Sequence, residues 1–255
     1  MHAKTIAALF AWMALAACAP QSFISHTPIP STLTSPPPTP LPADQFDFPL
    51  DPMRFGPYVF GVTGPLDIDT RFGVQNPGLG KDGKCFVDRH GDSVPFDKLF
   101  HAGEDWFAFD ARGQVSPGRA ADAPVKAAAH GVVSWTQPTG FEGDIVVIEH
   151  LLRDGTRAWS AYWHLDHVAV ARGQVVLRGD VIGRILDRGD NAHLHWEIRM
   201  WGDGTRLFPP DSAGGRGTCN GRVPALGYTW DDTASRAAPQ AWGYVDPVQF
   251  VRDHR

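Results

Sequence analysis

From Ala123 to Ile198 the chain is a succession of short β-branched and aromatic runs: Val125 to Trp135, Asp144 to His150, Arg157 to His164, Val181 to Ile185 and Ala192 to Ile198. Turns such as Arg153-Asp154-Gly155 part them. Runs of this length and composition bury themselves by pairing into sheets, so the pattern predicts a mainly β domain, a sandwich or a barrel. The 27 Gly and 22 Pro punctuate helices and favour turns, and no long periodic helix is visible. With 43% hydrophobic residues, 9 Trp and 15 Phe among 255 positions, a sizeable core must form and disorder throughout is excluded. The balance of 28 acidic against 23 basic residues, a formal charge of −5, lacks the electrostatic footprint of a nucleic-acid binder.

The first residues are of another kind. Lys4 supplies a charged start and Ile6 to Ala17 an apolar run too short for a mature membrane span, which needs about 20 residues. Residues 1–17 therefore read as a signal peptide. Leu15-Ala16-Ala17-Cys18 resembles a bacterial lipobox, which implies cleavage before a lipidated Cys18. Acyl chains on one residue make a lasting membrane anchor, at about 0.8 kcal/mol per buried CH₂. Residue 19 is Ala and not the Asp of an inner-membrane retention signal, so by analogy the expected place is the outer membrane, facing the periplasm, if the cell has two membranes. Residues 18–44 hold Pro36-Pro37-Pro38-Thr39-Pro40-Leu41-Pro42 and little to bury, as a polyproline-type tether would. In an export compartment the two remaining cysteines, Cys85 and Cys219, are candidates for a disulfide. No internal repeat is visible.

A lead-in spans 45–100 and the main domain 101–251, within which residues 201–240 lose the strand rhythm and read as an insertion. Val245 to Val251 restores a short apolar run as a closing element.

Three histidine contexts carry chemistry: Phe100-His101-Ala102-Gly103-Glu104-Asp105, Tyr162-Trp163-His164-Leu165, and Ala192-His193-Leu194-His195-Trp196-Glu197-Ile198. In a strand His193 and His195 share one face while Leu194 and Trp196 take the other. Two imidazoles then point into one cleft. A catalytic zinc uses three protein ligands of this type with a fourth position for water, and His101, Asp105 and one of the 193/195 pair would supply them. Spacing alone does not say which of the pair it is.

Taken together, these motifs resemble the lysostaphin-type, LytM-like zinc metalloendopeptidases of bacterial cell walls. The likeness runs from Thr70-Arg71-Phe72-Gly73 through His101 to Asp105, Pro124 to Val133, Ile145 to His150, Tyr162 to Leu165 and Gly173 to Gly183 to His193–Glu197, with Tyr244 to Phe250 as a closing Asp-Pro element. It implies a barrel-sandwich hybrid, an antiparallel β-sandwich with long loops. It also implies one Zn²⁺ per chain held by His101, Asp105 and His195, with His164 and His193 as unligated catalytic histidines. The substrate implied is a peptide bond of peptidoglycan stems or cross-bridges; a monomer is one expectation for the chain, its oligomeric state being unread from the sequence, and the site is expected in a groove open to water. The alternative is a non-catalytic module that binds peptidoglycan or activates a cell-wall amidase.

Two departures stand out: Asp190-Asn191-Ala192 replaces the family's Thr-Gly-Pro style approach to the paired histidines, and residues 111–122 are an insertion. Both concern the cleft rim. His150 and His167 match no catalytic position, Glu197 shares the face of His195, and Glu104 lacks the helical HExxH context of a metalloprotease base. Trp135, Trp159, Trp163 and Trp196 are expected in the core.

Overall fold

The computed structural model of the chain describes residues 41–65, 68–76, 98–138, 143–202, 227–230 and 239–255. Cys18, Cys85 and Cys219, with the signal peptide and most of the tether, lie outside the described residues. In chain order the elements are β1 (Phe55–Pro57), β2 (Leu99–His101), β3 (Glu104–Ala108), β4 (Pro124–Lys126), β5 (Gly131–Pro138), β6 (Asp144–Leu151) and β7 (Arg157–Asp166). They continue with β8 (Val175–Val176), β9 (Val181–Ile185), β10 (Leu194–Arg199), β11 (Tyr228–Trp230), a 3-10 turn (Pro239–Trp242), β12 (Tyr244–Val245) and α1 (Pro247–Asp253).

The strands form one antiparallel sheet in the order β1-β3-β10-β7-β6-β5-β8, and β2 pairs with β11 in a separate ribbon. β12 joins the edge of β10 beyond β3, and β9 bridges β7 and β4. The protein is mainly β, as the short runs predict; the sheet does not close into a barrel. The run Val125 to Trp135 is two strands, β4 and β5, because Ala127 leaves the sheet to bond Asp180 O. α1 begins where the Asp246 carboxylate caps Gln249 N at 3.0 Å and Pro247 occupies the first turn.

Alternation sorts the central strands into two buried faces. One holds Trp106, Val146, Ile148, Tyr162, Leu194, Trp196 and Ile198, closed by Phe250 and Val251 of α1. The other holds Ile145, Val147, Trp159, Ala161 and Trp163, with Trp135 against them. Of the four tryptophans, Trp196 is in the main core and the other three are in this second cluster. The lead-in contributes to the same core. Phe46 is fully buried with its ring edge-on to His150 and Phe250 at 5.0 Å, and Phe48 lies against Trp106 at 5.2 Å. β1 then extends the sheet beside β3. The metal-ligand candidates sit on the second face, at the end of β10 nearest β2.

Candidate metal centre

The register of β3 against β10 sets His195 directly opposite Asp105, so both side chains leave the same face. Thr70 fastens that point of β3: its hydroxyl donates to Asp105 O at 2.9 Å, and Asp105 N donates to Thr70 O at 3.1 Å. His101 arrives from β2, which lies along the Thr70–Gly73 segment through Gly73 N to His101 O and His101 N to Val74 O.

Three atoms converge there. His101 Nε2 lies 3.0 Å from His195 Nδ1 and 3.1 Å from Asp105 Oδ1, and His195 Nδ1 lies 2.6 Å from Asp105 Oδ1. The second nitrogen of each ring faces an oxygen: His101 Nδ1 the carbonyl of Arg71 at 3.4 Å, His195 Nε2 the carboxylate of Glu197 at 3.0 Å. Without a metal ion the three inward atoms share protons, His195 Nδ1 facing the Asp105 carboxylate at 2.6 Å. With an ion in place each ring would keep its N–H outward and turn a lone pair inward, and the ion would satisfy all three atoms at once. The two spacings from His101, 3.0 and 3.1 Å, lie close to the edge, about 3.3 Å, of a tetrahedron with zinc-to-nitrogen bonds of about 2.05 Å, and the 2.6 Å contact is shorter. His101, Asp105 and His195 thus fit a zinc ion and are grouped as one potential metal-holding set.

Electrostatics agree. Burial works to raise the Asp105 carboxyl, but the facing His101 and His193 and hydrogen bonds from His101 and His195 outweigh it and hold it well below the usual carboxylate range. Burial opposes charge on His195 as well, yet Asp105 and Glu197 push it up to about 9. A metal ion displaces that proton when it binds.

His193 stands beside this set. Its Nδ1 donates to Asn191 O at 2.8 Å, which leaves Nε2 bare, 3.6 Å from Asp105 Oδ2. Burial lowers its pKa and favours the neutral ring. His164 reaches the same place by a distortion. Simple alternation would send it with Tyr162 into the main core, but the pairing of β6 with β7 jumps from Val146↔Tyr162 to Asp144↔Leu165, so Trp163 and His164 together oppose Ile145. At this bulge His164 has φ 58°, in the left-handed region a non-glycine residue rarely enters. Its ring is thereby turned to His193, centroid to centroid 4.7 Å. Arg188 Nη1 lies 3.1 and 3.2 Å from the two ring nitrogens of His164, so it rests over the ring instead of donating in its plane.

The structure thus brings together all five sequence-derived residues, four histidines and one aspartate. It corrects the expectation of a groove open to water: His101, Asp105, His193 and His195 are only 3–9% exposed. Gly227 and Tyr228, from within the 201–240 stretch, lie over them. A Cβ on Gly227 would come within 2.9 Å of the His195 ring, and the Tyr228 ring lies 5.5 Å from that of His101. Phe107 covers His193 at 4.8 Å.

Three participants were not singled out by sequence: Gly103, Arg188 and Arg199. The first is legible in retrospect, since a small residue between His101 and Asp105 lets β10 approach. A Cβ at Gly103 would collide with the carbonyl of Trp196 and stand 2.8 Å from Glu197 Cγ. The other excluded positions behave as expected: His150 is packed, His167 exposed, and Glu104 faces the core, accepting from Trp106 Nε1 at 2.7 Å.

Residues 114–209 match the family described as Peptidase family M23. The matched stretch holds His164, His193 and His195, and begins beyond His101 and Asp105, which β2 and β3 bring to it. Peptidoglycan DD-endopeptidase ShyA of Vibrio cholerae is 30% identical over 145 residues, 49% of this chain and 32% of that protein. Peptidoglycan DD-endopeptidase ShyB of the same organism is 32% identical over 139 residues, 47% of this chain and 32% of that protein. The chain spans about a third of the length of these curated relatives. Among solved structures, a zinc-containing peptidase from Vibrio cholerae is 24% identical with a TM-score of 0.35, covering 61% of this chain and 37% of that one. The antimicrobial peptidase lysostaphin from Staphylococcus simulans is 18% identical with a TM-score of 0.35, covering 68% and 50%.

Proposed function

We propose, from the match of residues 114–209 to Peptidase family M23, that this chain is a zinc metalloendopeptidase of the cell envelope, hydrolysing peptide bonds in peptidoglycan stems or cross-bridges. One observation carries the proposal: His101 Nε2, His195 Nδ1 and Asp105 Oδ1, all atoms that can ligate a metal, converge within 2.6–3.1 Å of one another. Two relatives named as peptidoglycan DD-endopeptidases support the substrate class.

Zinc held by those atoms would supply a Lewis acid able to acidify a bound water towards neutrality. His193 is suited to receive the proton of the attacking water, because its Nδ1–H is committed to Asn191 O and burial keeps Nε2 unprotonated. His164, across from it, is placed to donate to the oxyanion that forms on the scissile carbonyl. The positive φ of His164 is the strain that sets this ring in place. The proposal includes the outer-membrane lipid anchor through Cys18 and the tether up to residue 44, which hold the domain near the wall while leaving it reach.

A second reading has its own observation. Gly227 and Tyr228 packed over His195 and His101 suit a module that grips peptidoglycan or activates an amidase without cutting. The full chain, purified in detergent with its zinc counted, is incubated with purified sacculi. Chelator-sensitive release of cut peptides is the expected result. One zinc per chain with no cleavage, but stimulation of an added amidase, supports the second reading and overturns the first.

A further inference from the structure

β10 carries three buried polar side chains in register on one face, His195, Glu197 and Arg199. The two oxygens of Glu197 have separate partners. Oε1 faces His195 Nε2 at 3.0 Å, and Oε2 accepts from Arg199 Nε at 2.6 Å with Arg199 Nη2 at 2.5 Å. Arg199 in turn is walled by aromatic rings: Trp201 at 4.8 Å, Tyr244 at 5.6 Å and Trp163 at 5.7 Å from its guanidinium carbon. Glu197 and Arg199 are 0% and 1% exposed.

Stability does not account for such a pair. Two charges withdrawn from water recover little beyond their desolvation cost, and apolar residues of similar volume commonly serve as well or better. What the pair does achieve is directional. The guanidinium holds one oxygen, so the carboxylate cannot turn, and its free oxygen demands a hydrogen on His195 Nε2. The nitrogen left to give up its proton to a metal is then Nδ1, the atom that faces His101 and Asp105. Backbone on both flanks keeps the ring from turning over: a Cβ at Gly103 would lie 3.0 Å from His195 Nε2, and one at Gly227 would lie 2.9 Å from the same atom.

We propose that Glu197 and Arg199 are positioning residues that lock His195 as an Nδ1 ligand and raise the affinity of the centre for its metal. This rests on the metal-centre reading above. Orienting partners of this kind are typically worth 10- to 100-fold in metal affinity.

The test compares the full-length wild type with two double variants, Glu197→Met/Arg199→Met and Glu197→Gln/Arg199→Met. Both remove the two buried charges together, so neither leaves a lone charge in the core, and they differ in whether an oxygen remains for His195 Nε2. Zinc affinity is read by competition with a chromophoric chelator, and the thermal midpoint of the metal-free proteins is the control for folding. The Met/Met variant is expected to bind zinc 10- to 100-fold more weakly than wild type, and the Gln/Met variant to recover part of that loss. Zinc affinity within twofold of wild type in the Met/Met variant, or no recovery in the Gln/Met variant, overturns the proposal. Nitrogen-15 NMR of zinc-loaded wild type gives a check that needs no variant: a proton on His195 Nε2 is expected, and a proton on Nδ1 overturns it. Wild type that binds no zinc overturns this inference and the metal centre together, whereas zinc-binding wild type with unaffected variants overturns this inference alone.

Discussion

His150 and His195 are hidden from water to a similar degree and titrate in opposite directions. His150 is fully buried between β5, β7 and Phe46, and each ring nitrogen has a complementary partner: Nε2 meets Ser160 Oγ at 2.7 Å and Nδ1 the carbonyl of His130 at 2.9 Å. Nothing is left to satisfy. Burial dominates its titration and brings it down to about 4. At the end of β10 the same residue type, as deeply buried, is drawn up to about 9 because its partners are carboxylates, and its inward nitrogen faces a carboxylate and a second imidazole. Burial of a histidine therefore says little about function. The balance of donors and acceptors around it separates a packed residue from a ligand.

The sharpest way to break that contrast is to remove members of the converging set. His195→Ala is expected to lose bound zinc, and metal-dependent hydrolysis of sacculi with it, as measured by metal content and peptide release. His193→Ala, one position outside the set, is expected to keep one zinc per chain while turnover falls by roughly 10²- to 10³-fold, the usual cost of removing one such catalytic group. Equal zinc loss in both variants would erase the distinction between ligand and proton acceptor.

The packed histidine sharpens the other side. His150 titrates near 4 when folded and near 6.5 when unfolded, so the unfolded chain takes the proton first as pH falls. Its contribution to stability is complete above about pH 6.5 and is lost on acidification to about pH 4, on the order of 3 kcal/mol in all. Urea unfolding of wild type and His150→Gln across that window should show a steeper acid loss in the wild type, with zinc content equal in the two proteins at neutral pH. Parallel curves would mean that His150 is not the neutral buried group its partners imply.

How much of this was legible in the sequence differs from residue to residue. The alternation of His193 and His195 is a period-two signal that survives folding, and the short runs gave strands because nothing else could bury them. His164 was placed by likeness alone. By alternation it belongs with Tyr162 in the core, and only the bulge opposite Ile145, with a positive φ, turns it to His193. Arg188 approaches His164 from just before Asp190-Asn191-Ala192, and no motif in the sequence singled it out. The cover over the centre was hidden for a different reason. Gly227 and Tyr228 are far from His101 in sequence, and the β2–β11 pairing that brings them there has only three residue pairs.

Zinc K-edge X-ray absorption on the zinc-loaded full chain tests the three-residue centre most directly. The expected spectrum has one zinc per chain, with two imidazoles and the remaining light-atom ligands at about 2.0–2.2 Å. A chain that retains no zinc, or a spectrum without the outer-shell scattering of two imidazole rings, would contradict it.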